Sequence, residues 1–325
     1  MNLLVIDRCD SSCPCCFARH YMAESPTPRE MGIEDFRTVL AFLGRSGHTS
    51  FHLAGGEPTL HRRFPELLDL AIAGGFRVGI LSNGLFGERI RSHLVSRLDR
   101  FDSLLLNVNE PSACTAERWA TLRANLAALG EKALLGVNIH RVGQDLDWLL
   151  DLAREFPVIG LRFVFAHQSG RTASPDVLAY EEIPGETDRL VRLVDRAGTE
   201  LGIMLVYDCG FLPCLFDEKQ REVLRRSNCV LGGCEPTNLT VDVDLRVSHC
   251  FNREDPARVV RLRDFDHADQ LEAFFREAIR RDGEGRFLFE ECPACPERRA
   301  GTCGGGCLAD RRILDVPLRR PGRRA

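Results

Sequence analysis

The chain opens on LLVI, the strand-like run Leu3–Ile6, and continues into CDSSCPCCF, the cysteine loop Cys9–Phe17. Cys9, Cys13 and Cys16 have C-x3-C-x2-C spacing, and the proline inside the motif predicts a loop. Three thiolates on one loop can converge on a soft metal centre. A cubane iron–sulfur cluster takes four ligands, so a local triplet leaves one iron open to a group that is not protein. A zinc loop or a set of buried free thiols is the alternative interpretation.

The composition is that of a soluble globular protein: of 325 residues, 44% are hydrophobic and 28% charged. The net charge of −4 gives no basic field for nucleic acid. No signal peptide is visible, and no apolar run approaches the roughly 20 residues of a membrane helix. We therefore expect a cytoplasmic protein that binds neither nucleic acid nor a membrane. With no export signal, 14 cysteines indicate metal or redox chemistry in a reducing compartment.

Strand-like and amphipathic helix-like segments alternate along residues 1–170. Six strand–helix units predict a parallel sheet, which is too few for a closed eight-stranded barrel. Active sites of such folds lie at the carboxyl ends of the strands, and the cysteine loop follows the first strand. The strand candidates are Leu3–Ile6, Ser50–Leu53, Arg77–Leu81, Ser103–Val108, Lys132–Ile139 and Ile159–Phe165.

Small polar residues follow the next three strands at the same predicted edge. They are Gly55, Gly56, Glu57 and Pro58 (the GGEP segment) after the second strand, Ser82 and Asn83 after the third, and Asn107 and Asn109 after the fourth. Adjacent glycines let a backbone approach a ligand closely. Exposed carbonyls and the Glu57 carboxylate would accept hydrogen bonds from an ammonium group. Each of these segments is also typical of a plain turn.

Cysteines recur in the last third of the chain. They are Cys209, Cys214, Cys229, Cys234, Cys250, Cys292, Cys295, Cys303 and Cys307. Thr240–Val247 alternates as a hairpin that ends near Cys250. The C-x2-C pair at Cys292 and the C-x3-C pair at Cys303 form a strong metal-loop pattern, because the intervening glycines leave room for cluster sulfides and direct N–H groups at them. A zinc ribbon is the alternative.

The N-terminal motifs resemble those of radical S-adenosylmethionine (SAM) enzymes, with Cys15 at a position where the family usually has Tyr or Phe. The resemblance implies an α/β fold, an open (β/α)6 partial TIM barrel over residues 1–205. It implies that a [4Fe–4S] cluster on Cys9, Cys13 and Cys16 binds and reduces SAM. The resulting 5′-deoxyadenosyl radical then abstracts hydrogen from a substrate. The GGEP segment would hold the SAM ammonium, and the Ser and Asn residues of the next two strands would contact its ribose and carboxylate.

The C-terminal cysteines resemble the SPASM extension of these enzymes, a small cysteine-rich α+β (SPASM- or twitch-like) domain with one or two auxiliary [4Fe–4S] clusters, here residues 206–310. The resemblance implies one cluster on Cys229, Cys234, Cys250 and Cys307, and a second on Cys292, Cys295 and Cys303. Leu245 replaces the usual turn glycine. The family pattern ends in a further cysteine, which this chain lacks after Cys307. The second cluster would then have a non-cysteine or open ligand, take Cys209 or Cys214 as its fourth ligand, or be absent. Cys209 and Cys214 are alternatively catalytic hydrogen donors, substrate contacts or structural thiols.

The function implied by the resemblance is the modification of a peptide or protein, as in SPASM maturases, with a flavodoxin- or ferredoxin-like reductant. No separate peptide-recognition domain precedes the first strand at Leu3, which weakens that choice of substrate. The alternatives are oxidation or epimerisation of a small polar molecule such as an aminosugar, and a zinc or iron–sulfur scaffold without radical chemistry. We expect residues 311–325 to form a flexible basic tail.

Overall fold

The computed structural model describes residues 1–16, 18–23, 27–166, 176–208, 211–231, 239–250, 259–283, 286–307 and 317–321. Two candidate cysteines, Cys209 and Cys234, lie outside the described residues, and so does most of the basic tail.

Eleven strands among the described residues form one sheet. They are β1 (Asn2–Leu4), β2 (Ser50–Ala54), β3 (Arg77–Ser82), β4 (Ser103–Asn107), β5 (Ala133–Ile139), β6 (Gly160–Phe165), β7 (Met204–Tyr207), β8 (Val230–Leu231), β9 (Thr240–Val241), β10 (Arg246–Ser248) and β11 (Val260–Arg261). Their order is β11-β10-β9-β1-β2-β3-β4-β5-β6-β7-β8. Neighbours from β9 through β1 to β8 are parallel, and β9, β10 and β11 pair antiparallel. The edge strands of this order, β11 and β8, are not paired with each other, so the sheet does not close into a barrel. The predicted open α/β architecture is therefore confirmed.

Helices accompany this sheet, and each of them except α10 buries at least one apolar side chain. They are α1 (Arg19–Ala23), α2 (Ile33–Arg45), α3 (Phe64–Ala73), α4 (Glu88–Val95), α5 (Ala116–Leu129), α6 (Asp147–Glu155), α7 (Ile183–Glu200), α8 (Glu218–Arg226), α9 (Ala268–Gly283) and α10 (Pro296–Arg299). In α2 the apolar residues recur every three or four positions, so Ile33, Phe36, Val39 and Leu43 share one buried face. Burying each such side chain contributes about 1.5–3 kcal/mol. Among the described helices, none combines the length and apolar character needed to cross a membrane.

The six predicted strands correspond to β1–β6, with ends that differ by at most two residues. The largest difference is in β1, which ends at Leu4 instead of Ile6. Its backbone nevertheless continues the pairing, since Val5 N–H donates to Ala54 O at 2.9 Å and Ile6 forms a bridge with Glu30. The carboxyl ends of these strands therefore meet at one edge, and the cysteine loop begins there.

The C-terminal hairpin continues the same sheet. The predicted hairpin is present as β9 and β10, and β9 pairs in parallel with β1. Leu3 on β1 and Val241 on β9 are partners in this pairing, and both are fully buried. One hydrophobic core cluster extends from Leu3 to Cys292. The hairpin and the N-terminal strands are thus stabilised by shared packing.

Residues 317–321, the described part of the basic tail, form backbone hydrogen bonds with the segment before Cys292. Leu318 N–H donates to Leu288 O at 2.8 Å, and Glu290 N–H donates to Leu318 O at 2.8 Å. These bonds place residues 317–321 beside the segment that contains Cys292. Leu318 is the residue of the described tail that pairs, forming an isolated bridge with Phe289.

Candidate functional site

The cysteine loop is held at the carboxyl edge of the sheet by the GGEP segment. Gly56 N–H donates to Ile6 O at 2.9 Å, and Glu57 N–H donates to Arg8 O at 2.8 Å. A Cβ at Gly55 would lie 2.4 Å from Ile6 O, and one at Gly56 would lie 2.2 Å from Arg8 O. Both glycines are therefore required by the close approach of the two chain segments.

Two arginines fix the shape of the cysteine loop. Arg19 Nη2 of α1 donates to Cys13 O at 2.8 Å. Arg118 of α5 reaches across from the fourth strand–helix unit, where Nη1 donates to Asp10 O at 3.2 Å and Nη2 donates to Ser11 Oγ. Sequence reasoning missed both residues, because neither belongs to a motif of the loop itself.

The three thiols of the C-x3-C-x2-C motif, Cys9, Cys13 and Cys16, are half-buried on this loop. Burial raises the pKa of Cys9 to about 11, and burial also raises the pKa of Cys16. The thiolates that a metal needs would have to be stabilised by the metal's own charge. Asn109 Nδ2 donates to Cys13 Sγ at 3.5 Å, which is the kind of N–H contact that stabilises a thiolate ligand.

Glu57 is buried, and its carboxylate holds together the residues at the carboxyl ends of β2 and β3. We call these residues, together with Asn107 and Asn109 after them, the rim. The Glu57 carboxylate accepts hydrogen bonds from Thr59 N–H, Thr59 Oγ1, Ser82 Oγ and Asn83 N–H at 2.6–3.1 Å. Only 2% of the residue is exposed, and burial raises its pKa while the four donors act against that shift. Four donors occupy the lone pairs of a carboxylate. The direct contact with an ammonium that the sequence suggested for this carboxylate is therefore not favoured, and Glu57 holds the rim in place instead.

The remaining rim residues divide into two groups. Ser82 Oγ is committed to Glu57 and also accepts from Gly84 N–H, and Asn83 Nδ2 donates to Asp10 Oδ1 at 2.7 Å. Asn107 differs, because its Oδ1 is buried and has no hydrogen-bond partner among the described residues. A buried acceptor without a partner costs about 1–3 kcal/mol. Asn107 thus differs from Ser82 and Asn83, whose side chains bond within the protein.

A second group of cysteines lines one pocket in the C-terminal region, which we call the thiol pocket. Its cysteines are Cys214, Cys292, Cys295 and Cys303. Burial raises the pKa of Cys214 to about 11, while Arg320 opposes this shift and the other three thiols add to it. Arg320 lies in the packed part of the tail, so sequence reasoning gave no signal for it.

The other described C-terminal cysteines lie on three different segments of the chain. Cys229 is buried where β8 begins, next to the backbone of Tyr207, and burial raises its pKa to about 11. Cys250 lies two residues after the end of β10, and Cys307 follows the glycine-rich loop, residues 304–306; both are half-buried. In the described parts of the chain, no three Cys, His, Asp or Glu side chains converge closely enough to hold a single metal ion.

Comparison with known proteins shows which families and structures this chain resembles. A family model described as the Radical SAM superfamily matches residues 3–118, which include the cysteine loop and the whole rim. PqqA peptide cyclase of Xanthomonas euvesicatoria pv. vesicatoria (strain 85-10) is 24% identical over 321 residues, covering 93% of this chain and 81% of that protein. An S-adenosylmethionine-dependent nucleotide dehydratase of Selenomonas ruminantium is 27% identical over 110 residues. That match covers 34% of this chain and only 38% of the dehydratase.

Two solved structures of Streptococcus suis SuiB have the same fold over nearly the whole chain. The structure bound to S-adenosylmethionine has a TM-score of 0.70 at 15% identity, covering 98% of this chain and 75% of SuiB. The structure bound to the precursor peptide SuiA has a TM-score of 0.67 at 16% identity, covering 99% of this chain and 74% of SuiB. The likeness therefore extends beyond residue 118 and includes the C-terminal region.

Proposed function

The chain belongs to the radical SAM superfamily, and we propose that it cleaves SAM reductively and abstracts hydrogen from a peptide or protein substrate. One observation supports this most directly. The C-x3-C-x2-C loop, the GGEP segment and the asparagines at and just after the end of β4 meet at the carboxyl edge of a parallel sheet. This edge is where enzymes built on such sheets bind and convert their ligands.

We assign the cluster site to Cys9, Cys13 and Cys16. A [4Fe–4S] cluster held there supplies, when bound, a low-potential electron and one iron open to SAM. The residues fit this group, because three half-buried thiols sit on one loop that Arg19 and Arg118 pin in place. The loop's backbone bonds to the GGEP segment keep the thiols at the sheet edge.

The SAM contacts belong to the same rim. The backbone carbonyls of the GGEP segment would accept hydrogen bonds from the SAM ammonium, as the family resemblance implies. Asn107 Oδ1 offers an acceptor to a hydroxyl or amino group of the ligand. Glu57, Ser82 and Asn83 would act by positioning, since their polar groups already bond to the rim and to the cysteine loop.

A peptide or protein is the substrate class that the comparisons support best. PqqA peptide cyclase aligns with 93% of this chain, and SuiB, solved with the precursor peptide SuiA, has the same fold. We further propose that a flavodoxin- or ferredoxin-like protein supplies electrons, and that the enzyme works in the reducing cytoplasm, where thiolate-bound clusters persist.

Anaerobic turnover with SAM and a chemical reductant tests this proposal. The wild-type chain should form 5′-deoxyadenosine, and Cys9→Ala should form none. Cys15→Ala is the matched control, since it removes a thiol of the same loop that lies outside the triplet, and it should retain cleavage. Deoxyadenosine formation by Cys9→Ala at the wild-type rate would refute the assignment.

The substrate class needs a separate readout. Mass analysis of candidate precursor peptides after turnover should show a change in mass that depends on SAM. A reaction confined to a small polar molecule such as an aminosugar would overturn the peptide assignment. Zinc alone in the purified protein, without iron or sulfide, would make the chain a scaffold and overturn the whole proposal.

A further inference from the structure

The thiol pocket collects four cysteines from three separate stretches of the chain. Cys214 belongs to the turn after β7, Cys292 and Cys295 belong to the C-x2-C loop, and Cys303 directly precedes the glycine-rich loop. The thiols of Cys303, Cys292 and Cys295 all act electrostatically on Cys214. Four potential ligands therefore face one space, although the sequence separates the first from the last by 89 positions.

Packing fixes each of these segments. Cys214 sits in the short helix Pro213–Leu215, between the buried side chains of Leu212 and Leu215. The C-x2-C loop is a single turn in which Cys295 N–H donates to Cys292 O at 3.1 Å. The position of Cys214 is thus set by the main hydrophobic core, and its approach to the other thiols is built into the fold.

The glycine-rich loop is bound to the same region. Leu288 N–H donates to Gly305 O at 3.0 Å, which brings Cys303 beside the C-x2-C loop. Gly306 has a φ of 103°, and a Cβ there would lie 2.6 Å from Leu288 Cβ. Only glycine allows the loop to turn this close to its neighbour.

Two arginines, Arg298 and Arg320, and one carboxylate, Glu297, line the thiol pocket, so its charged side chains sum to a positive charge that suits an anionic occupant. Arg320 lines the pocket, and its Nε is buried with no hydrogen-bond partner among the described residues. Gly305 N–H also donates to Cys303 Sγ at 3.4 Å. A buried guanidinium nitrogen without an acceptor is costly, so it indicates that a negatively charged group belongs there. An iron–sulfur cluster with four thiolates carries net negative charge and accepts such N–H contacts at its sulfurs.

We propose that Cys214 is the fourth ligand of a [4Fe–4S] cluster in the thiol pocket, together with Cys292, Cys295 and Cys303. Cys214 thereby takes the role that the family pattern gives to a cysteine beyond Cys307, a residue type that positions 308–325 do not contain. A cluster with four protein ligands has no open iron. Its role is therefore electron transfer, and Cys214 is neither a hydrogen donor nor a substrate contact.

A zinc ion is the other occupant that four thiolates suit. Metal analysis distinguishes the two, because a zinc site holds one ion whereas a cluster holds four irons with their sulfides.

The test uses the full chain in a background that lacks the N-terminal ligands, Cys9→Ala, Cys13→Ala and Cys16→Ala. Metal and sulfide are counted after anaerobic reconstitution, without SAM, so the outcome is independent of the proposed SAM cleavage. Adding Cys214→Ala should lower the iron content by about four per chain, or convert the cluster to a three-iron form seen by electron paramagnetic resonance after mild oxidation. Adding Cys114→Ala instead, at a cysteine outside the pocket, should change neither.

An unchanged iron count and spectrum in the Cys214→Ala chain would overturn the proposal, and so would zinc in place of iron. A second measurement needs no substitution. In wild-type protein loaded with iron, alkylation mapped by mass spectrometry should leave Cys214 as unreactive as Cys292, Cys295 and Cys303, and all four should react once iron is chelated. Alkylation of Cys214 in the loaded protein, while the other three stay protected, would also refute the assignment.

Discussion

Asn107 carries a side-chain oxygen that is buried and lacks a hydrogen-bond partner in the described part of the chain. If SAM supplies the missing donor, Asn107→Leu should weaken SAM binding about two- to tenfold, which corresponds to one neutral hydrogen bond of about 0.5–1.5 kcal/mol. The substitution should not lower the melting temperature of the SAM-free protein, because no protein bond is lost. Calorimetric titration with SAM and thermal unfolding measure the two effects.

Asn125 provides the matched control for that prediction. It is fully buried, and its Nδ2 donates to Gly84 O at 2.8 Å and to Phe86 O at 2.9 Å. Asn125→Leu should lower stability by about 1–3 kcal/mol, since it leaves two carbonyls without donors. Unchanged SAM affinity in Asn107→Leu, combined with a loss of stability like that of Asn125→Leu, would show that Asn107 is structural.

Glu57 illustrates the opposite case, a polar side chain whose bonds are all made within the protein. All four of its partners are donors, from Thr59, Ser82 and the backbone of Asn83. In Glu57→Gln the new NH₂ group would face an N–H donor in either orientation of the amide, so one bond is lost and two donors oppose each other. We expect a loss of about 1–3 kcal/mol in the free energy of unfolding, measured in urea.

The control is Glu66→Gln, because Glu66 pairs with Arg63 at the exposed start of α3. Exposed substitutions of this kind change stability by about 0.5 kcal/mol or less. Equal and small effects of the two substitutions would contradict the role given to Glu57.

At the level of elements, the contact between the GGEP segment and the cysteine loop depends on two glycines. A Cβ at Gly56 would meet Arg8 O at 2.2 Å and Cys9 N at 2.9 Å, both of which are backbone atoms that cannot move aside cheaply. Gly56→Ala should therefore separate the segments, lower stability by about 1–3 kcal/mol or more, and reduce iron bound by the cysteine loop. Urea unfolding and iron analysis of the reconstituted protein give the two values.

Gly185 in α7 has open space around its Cβ position, so Gly185→Ala should raise stability by about 0.5–1 kcal/mol through helix propensity. Wild-type iron content in Gly56→Ala would show that the close approach is dispensable.

Local sequence patterns were sufficient to predict the N-terminal strands. They were insufficient to predict which segments of the chain contact one another. The six N-terminal strands follow from short apolar runs, and their ends differ from expectation by at most two residues. The glycines of the GGEP segment are predicted to let the backbone approach a ligand closely, and the structure shows that they also allow the close approach of the chain at Ile6 and Arg8. Leu245, at the position where the family resemblance implies a turn glycine, has a φ of 59°, in the left-handed region that favours glycine. That conformation follows from the hairpin's register and is not encoded in the leucine.

Contacts between distant parts of the molecule were the least predictable. Arg29 shows this: its Nε donates to Asp7 Oδ2 at 2.7 Å near the end of β1, and its Nη1 donates to Asp244 Oδ2 at 2.5 Å in the hairpin turn. Arg118 and Arg320 likewise reach sites far from them in sequence. No periodicity or motif marks such residues, because their partners are determined by how the elements pack.

The shared sheet makes the N-terminal and C-terminal regions depend on each other. β1 is a short strand, and its outer edge is covered by β9, with Asn2 N–H donating to Leu239 O at 2.8 Å. A chain that ends at Leu205, the boundary suggested by the sequence, would expose this edge together with the buried Leu3. Exposed apolar edge strands pair with other molecules. We expect the shortened chain to aggregate on size-exclusion chromatography and to lack the cooperative thermal transition of the full chain.

A chain that ends at Cys307 keeps β8–β11 and should remain monodisperse. Monomeric behaviour of the shorter chain, with a melting temperature equal to that of the full chain, would instead make the two regions independent domains.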